Sequence, residues 1–251
     1  MDTSPKKGLV VAHYHSKGRF RTDTLAALEA LVALFDRVIV VSTHLQASEV
    51  KKAPSGVEVH IRDNVGYDFY SYRLGLLKFR EELAGAQVTL MNTSFLIADT
   101  SKFIAGCMNW MMAPEEGECR GLVRSDERAL HLQSYLLSFP SSLVAHQDFC
   151  DWWRTMSPLN IRQEVIDQYE MGLSGLITRL GYALRPLVKD AGPGEFKNTS
   201  LWRYLDLLRD FGILKIETIK ANPFGHDLSP LMKLAESNES FRTLLLEGLE
   251  N

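Results

Sequence analysis

Three cysteines in 251 residues, Cys107, Cys119 and Cys150, are too few and too widely spaced for a disulfide framework or a C-x-x-C metal pattern. Reduced thiols, half-buried in a cytoplasmic protein, are the expected state. No apolar run approaches the roughly 18 residues that a membrane-spanning helix needs. Met1 to Lys7 is polar and only Leu9 to Ala12 follows as an apolar run, so no signal peptide is expected. No basic surplus exists either. The formal charge is −3, which excludes a global field for nucleic acid. Walker A, G-x-G-x-x-G and G-x-S-x-G patterns are missing, which argues against an ATPase, a dinucleotide enzyme and a serine hydrolase. There is no internal repeat and no low-complexity segment.

What is present is ordinary globular composition, 45% hydrophobic and 24% charged. That suits one large α/β domain with a small appendage. Short apolar strands are expected at Gly8 to Tyr14, Arg37 to Ser42, Val57 to Arg62 and Gln87 to Asn92. Helical spacing separates them. Leu25, Leu28, Leu31, Val32 and Phe35 share one helix face, with Thr22 or Asp23 as its cap. Tyr72, Leu76, Leu77 and Phe79 turn inward on a second helix, from about Asp68 to Leu83. Strands alternating with helices predict a doubly wound, parallel sheet. Ligands of such sheets bind beyond the carboxyl ends of the strands. Three polar clusters fall there: His13-Tyr14-His15, Asp63-Asn64 and Asn92-Thr93-Ser94.

The second half reads as mixed. Strands are expected at Cys119 to Arg124, Leu132 to Phe139 and Tyr182 to Val188. Helices are expected at Phe149 to Met156, Ile161 to Leu180, Leu201 to Phe211 and Leu231 to Leu249. Ala191 to Thr199 is a Gly/Pro loop. It separates a domain at 1–190 from a helical C-terminal extension at 191–251, packed on the same domain.

The most telling stretch is Asn64-Val65-Gly66-Tyr67-Asp68-Phe69-Tyr70-Ser71-Tyr72-Arg73. Asn64 and Gly66 suit a tight turn that leaves backbone N–H groups at a helix start, an anion site. Arg73 could reach a phosphate from the first turns of that helix. A strand–turn–helix joint around a buried Tyr67, Phe69 and Tyr72 cluster explains the same residues without a ligand. Asp68 could cap the helix or touch a ligand, and Asp63 could bind base or ribose or be a turn residue. His13 and His15 share a face with no third and fourth zinc ligand at suitable spacing. They could meet a diphosphate or bind nothing. His131 and Gln133 share a strand face that could line a sugar or acceptor site, with Ser134 pointing the other way. Trp152 and Trp153 could stack on a sugar, although core packing suits at least one. Met108, Met111 and Met112 around Trp110 read as core filler on a helix.

Five segments in order, NVGYDFYSYRLGLL (64–77), VTLMNTSFLI (88–97), HLQSYLLSF (131–139), QYEMGLSGLITRLGY (168–182) and GILKIETIKANPFG (212–225), resemble the rhamnan synthesis protein F family. The resemblance covers roughly residues 8 to 228. It implies a part in bacterial cell-surface polysaccharide assembly, typically as a rhamnosyltransferase. A broader similarity is to inverting GT-A glycosyltransferases, through Asn64-x-Gly66, Arg73, Asn92-x-Ser94, Glu170 and Arg179-Leu180-Gly181-Tyr182. It implies a GT-A-like, Rossmann-like fold with a mixed, mostly parallel sheet. Residues 8–100 would form the nucleotide-sugar half and 101–190 the acceptor half. Glu170 would be the catalytic base. His13, Asp63, Asn64, Gly66, Asp68, Arg73, Asn92 and Ser94 would contact the donor, expected to be dTDP-rhamnose. His131 and Gln133 would face a glycan or lipid-linked glycan acceptor. Membrane association would be at most peripheral, at the inner membrane.

One departure stands out. The D-x-D place of those enzymes reads Asn92-Thr93-Ser94, and the family's usual middle acid is Thr93 here. An amide and a hydroxyl cannot supply the charge that holds a magnesium or manganese ion on a diphosphate. No metal, or a weakly held one, is expected. Leaving-group charge would then fall to Arg73, histidines and helix N-termini. The same departure supports a rival reading, a non-catalytic nucleotide-sugar or glycan-binding module.

Overall fold

The computed structural model describes residues 5–82, 85–126, 128–188 and 198–250. The boundary expected at 190 and most of the Gly/Pro loop lie outside them. Ten strands run in chain order among the described residues: β1 Lys7–His13, β2 Arg37–Ser42, β3 Val57–Ile61, β4 Gln87–Asn92, β5 Phe95–Ile97, β6 Glu118–Ser125, β7 His131–Leu132, β8 Leu136–Phe139, β9 Ala183–Val188 and β10 Ile213–Lys215. The main sheet has the order β3-β2-β1-β4-β8-β6-β7, and β9 pairs with β6 as well. Pairings β3–β2, β2–β1, β1–β4 and β6–β9 are parallel, whereas β8 runs antiparallel to both β4 and β6. The fold is therefore α/β, with the expected mixed and mostly parallel sheet flanked by helices.

The central strands β1, β2 and β4 are mostly apolar and buried because both sheet faces are covered there. Val10, Ala12, Ile39, Val41, Val88 and Leu90 point into one core. Their neighbours Leu9, Val11, Val38, Val40 and Met91 point into the other. Helix α1 (Thr22–Leu31) and the short α2 (Ala47–Val50) connect the first three strands. Helix α3 (Tyr67–Glu82) returns across β1. It comes so close that a Cβ on Gly75 would sit 2.5 Å from Val10 Cγ1. The helical run α4 covers 100–111, and Asp99 caps it by accepting from Lys102 N at 3.0 Å. Met108, Met111 and Met112 fill the second core from it, as expected.

Two short helices follow, α5 (Ser141–Ala145) and α6 (Gln147–Thr155). Trp153 of α6 is fully buried, and with Trp152 it joins Phe69 and Tyr169 in an aromatic cluster. Helix α7 spans 162–179 and widens to a π turn over Ile166–Glu170. A third core joins Leu96 of β5 and Leu214 of β10 to Tyr204, Leu231, Phe241 and Leu245. The last four residues come from α9 (Tyr204–Phe211), α11 (Ser229–Ser237) and α12 (Glu239–Glu250), while α8 (Thr199–Trp202) and α10 (Ile216–Lys220) complete the set.

Several expectations need correction. Neither Thr22 nor Asp23 caps α1; the cap is Arg21, with no side-chain cap bond. Asp23 is instead buried against Arg21 at 3.0 Å, and it accepts from Ile97 N at 2.8 Å. The strand expected at Leu132 to Phe139 is broken over Gln133 to Tyr135, where Ser134 N donates to Glu170 and Tyr135 O accepts from Asn92 N. The helix expected at Leu231 to Leu249 is two helices. Asn238 separates them in extended backbone, and its side chain accepts from Phe241 N at 2.9 Å as a new N-cap. Strands β5 and β10 were not expected; three-residue strands leave too little pattern to read.

Candidate functional site

A cavity of about 940 Å³ opens beyond the carboxyl ends of β1 and β4. That is where a parallel sheet of this kind offers room for a ligand. Its walls come from the β3–α3 turn, the ends of β1 and β4, residues 131–135, α7 and the β10–α10 junction.

The turn places the first wall. Gly66 has φ +73°, and a Cβ there would meet Tyr70 Cβ at 2.7 Å, so glycine is required. Tyr67 follows with φ 50°, an uncommon conformation for a bulky residue. Arg62 holds the loop closed. Its guanidinium donates to Asp63 O at 2.7 Å, Val65 O at 2.5 Å and Tyr67 O at 2.5 Å. The same side chain reaches Ser71 Oγ at 2.9 Å.

Asp68 emerges from this turn onto the cavity floor. It accepts from Asn92 Nδ2 at 2.6 Å. Asn92 Oδ1 in turn accepts from Ser94 N at 3.0 Å and Ser94 Oγ at 2.6 Å. Ser94 Oγ accepts from Lys215 Nζ at 2.6 Å. Burial pushes the Asp68 carboxyl above the usual carboxylate range, against the opposing pull of the Asn92 hydrogen bond and the Lys215 charge. Burial draws Lys215 down to about 8, while Glu170, Asp68 and Glu217 pull it back up. Its ammonium also lies 4.0 Å over the Tyr135 ring.

Glu170 faces this floor from the π turn of α7. One of its oxygens accepts from Ser134 N at 2.5 Å. The turn explains how neighbouring residues serve both sides. Tyr169 is buried, and its hydroxyl donates to Ser157 O at 2.5 Å, while Glu170 lines the cavity. His131 lines it too, with Nδ1 bonded to Ala129 O at 2.7 Å. Gln133 Oε1 accepts from Ser200 Oγ. Ser134 was expected to point away; in the broken strand Gln133, Ser134 and Tyr135 all reach the cavity.

Of the residues singled out in the sequence, His13, Asn64, Gly66, Asp68, Asn92, Ser94, His131, Gln133 and Glu170 meet in this cavity. His13 bonds Ser42 Oγ at 2.9 Å, and burial with the nearby Arg21 charge lowers its pKa to about 3. It therefore lines the site as a neutral group. His15 is fully buried and accepts from Lys17 N at 3.1 Å outside the cavity. Asp63 is exposed and is not part of the lining. Arg73 turns to α6, where it donates to Trp153 O at 2.9 Å and Arg154 O at 3.1 Å. Trp152 and Trp153 lie outside the lining as well.

Sequence reasoning missed Lys215. It stands inside the quoted 212–225 segment, but a lysine in a short unexpected strand gave no sign of where it would be delivered. Arg62 was also missed, since an arginine at a strand end resembles any solvated turn residue.

A divalent metal does not fit the floor. The polar atoms of Asn92 and Ser94 are committed to each other, to Asp68 and to an ammonium. A cation beside Lys215 would be repelled by it. Among the described residues no group of three or more His, Cys, Asp or Glu could hold a metal ion.

The family model for rhamnan synthesis protein F matches residues 38–191, more than half of the chain. The chain belongs to that family. The match stops short of the 212–225 segment that carries Lys215. An uncharacterized protein of Sinorhizobium fredii, y4gN, is 24% identical over 166 residues, 63% of this chain. The chain spans only 38% of that relative's length. Among solved structures, 4-diphosphocytidyl-2C-methyl-D-erythritol synthase aligns with 82% of this chain and 99% of its own at 13% identity and a TM-score of 0.46. Glucosyl-3-phosphoglycerate synthase of Mycobacterium tuberculosis, in complex with Mn²⁺, UDP and phosphoglyceric acid, aligns with 83% of this chain and 79% of its own at 12% identity and a TM-score of 0.40. No helix of the described residues is long and apolar enough to cross a membrane.

Proposed function

We propose that this chain is an inverting glycosyltransferase of surface polysaccharide assembly. It moves a deoxyhexose, L-rhamnose from dTDP-rhamnose, onto a glycan or lipid-linked glycan. The reaction runs in the cytoplasm, with at most a peripheral hold on the inner membrane. The observation that carries this reading is the shared cavity: Glu170 faces the strand-end and turn residues Asn64, Gly66, Asp68, Asn92 and Ser94. A base opposite a donor cradle is what a single-displacement transfer needs.

In this reading Glu170 takes the proton of the acceptor hydroxyl as its oxygen attacks the anomeric carbon. The bond from that carbon to the diphosphate oxygen breaks, and its electron pair leaves with the nucleoside diphosphate. The Ser134 N–H bond holds the carboxylate in place. His131 and Gln133 sit on the same wall as Glu170 and contact the acceptor. Residues 8–100 supply the donor half, and 101–190 the acceptor half.

The test is transfer from dTDP-rhamnose to a rhamnose-ended glycan, with release of dTDP as a second readout. Transfer that disappears in Glu170→Gln with dTDP affinity intact supports the reading. The non-catalytic module keeps one observation in its favour, the uncharged Asn92-Thr93-Ser94 strand end. Donor binding with neither transfer nor hydrolysis would decide for it.

A further inference from the structure

The donor cradle contains a fixed positive charge where metal-dependent enzymes would need an ion. Lys215 is the last residue of β10, and β10 is held antiparallel to β5 through the pairs Ile213–Ile97, Leu214–Leu96 and Lys215–Phe95. Strand β5 starts directly after Ser94. The pairing therefore delivers the ammonium to the strand end that reads Asn92-Thr93-Ser94. There Nζ donates to Ser94 Oγ at 2.6 Å and covers the Tyr135 ring at 4.0 Å.

We propose that Lys215 is the leaving-group residue of the site, whose ammonium binds the diphosphate of the donor in place of a divalent metal. This rests on the donor-site reading above. An ammonium has three donor hydrogens, and Ser94 Oγ takes one. The others are free to meet phosphate oxygens. Lys215 stays protonated through the step. It offsets charge that develops on the departing diphosphate as the anomeric carbon–oxygen bond breaks, while the acceptor proton goes to Glu170. A charge fixed by a strand pairing costs little reorganisation during the reaction. The groups around it are Asp68 from α3, Glu170 from α7, Glu217 and Arg162, and the Tyr135 ring. Burial lowers its pKa to about 8, and Glu170, Asp68 and Glu217 act against that fall.

The experiment is calorimetric titration of the whole chain with dTDP, UDP and GDP, each in EDTA and again with manganese. One nucleoside diphosphate should bind in EDTA, with no gain from manganese. Lys215→Ala should weaken that binding by about 10- to 100-fold, or about 1.4 to 2.8 kcal/mol, and Lys215→Arg should restore most of it. Thymidine, uridine or guanosine, which lack the diphosphate, should bind both proteins alike. Wild-type affinity should also fall as pH rises through about 8, and the Lys215→Arg protein should lack that limb. Lys215→Arg keeps the charge and most of the packing, so its pH profile set against the wild type decides the matter even if Lys215→Ala fails to fold: the same limb in both proteins overturns the proposal. Metal-free binding that Lys215→Ala leaves unchanged, or binding that appears only with manganese, overturns the proposal and leaves the donor site standing. No diphosphate binding to the wild type under any condition overturns both.

Discussion

The two walls of the cavity are built differently. One comes from the ends of β1 and β4 and the β3–α3 turn. Its polar atoms are closed on one another: Asn92 bonds Asp68 and Ser94, Thr93 Oγ1 bonds Tyr14, and Arg62 bonds the carbonyls of its own loop. Asp68, the carboxylate of this wall that reaches the cavity among the described residues, has its pKa raised by burial. The other wall comes from 131–135, α7 and β10, and it brings in Glu170 and Lys215. In the proposed reaction the first wall sets shape and the second carries the working charge. A metal-dependent site would place its charge at the strand end instead. Here the end of β4 is neutral, and the charge arrives from a distant part of the chain.

The sharpest way to break this comparison is to neutralise the second wall. Glu170→Gln keeps the size of the side chain and removes its basicity. Transfer should fall by about 10²- to 10⁴-fold, the usual worth of a positioned general base. Affinity for dTDP should change less than about twofold, since the proposed base acts on the acceptor. Steady-state transfer and calorimetry read the two numbers. Near-normal turnover would move the base to Asp68 and undo the division between the walls.

The first wall should respond in stability. Arg21 is fully buried and ion-pairs with Asp23; it also donates to Thr93 O at 2.8 Å and Phe95 O at 2.7 Å. It thus props the turn that carries Asn92 to Ser94. Arg21→Ala strands Asp23 without its counter-charge, which costs about 3–5 kcal/mol. For a chain of this size the melting temperature should drop by roughly 10 °C. Thermal unfolding followed by circular dichroism checks it, and a drop of under 2 °C would mean that the pair is not what holds the turn.

His13 makes a smaller test of the same wall. Its folded pKa of about 3 lies below the ordinary 6.5. Between those values the unfolded chain binds a proton that the folded chain refuses. Stability is thus full above pH 6.5 and is lost as pH falls toward 3. The loss owed to this group between pH 7 and pH 5 should be about 2 kcal/mol. Urea unfolding at both values, for the wild type and His13→Asn, isolates it. An identical acid slope in the two proteins would mean that His13 is protonated in the fold.

The first wall was also the legible one. Strands β1, β2 and β4 are short, mostly apolar runs between turn residues and β3 alternates, and their pattern places Asn64, Gly66, Asp68, Asn92 and Ser94 beyond the strands' carboxyl ends. The second wall was legible in residue type more than in placement. Glu170 entered through a resemblance, and nothing in local sequence marks the π turn that points it inward. His131 and Gln133 were found through a strand alternation that the structure breaks, so Ser134 was assigned to the wrong side. Lys215 depends on the pairing of two three-residue strands more than 100 positions apart. Such a contact leaves no local periodicity to read.

Arg73 gives the smallest effect and the cleanest contrast. Helix position alone suggested a phosphate ligand, because a guanidinium one or two turns from an anion-binding helix start can reach across. The side chain instead crosses to α6, donating to the carbonyls of Trp153 and Arg154 and packing its guanidinium 5.2 Å from the Tyr70 ring centroid. Those two carbonyls sit at the end of a helix, where four acceptors lack intrahelical partners. Arg73 supplies donors that the helix itself cannot. Arg73→Ala should therefore cost about 1–2 kcal/mol of stability, with dTDP affinity unchanged within about twofold. Arg73→Lys should recover only part, because one ammonium cannot reproduce a planar fork across two carbonyls. A tenfold loss of nucleotide affinity with unaltered stability would return Arg73 to the donor site and make the first wall a charged one.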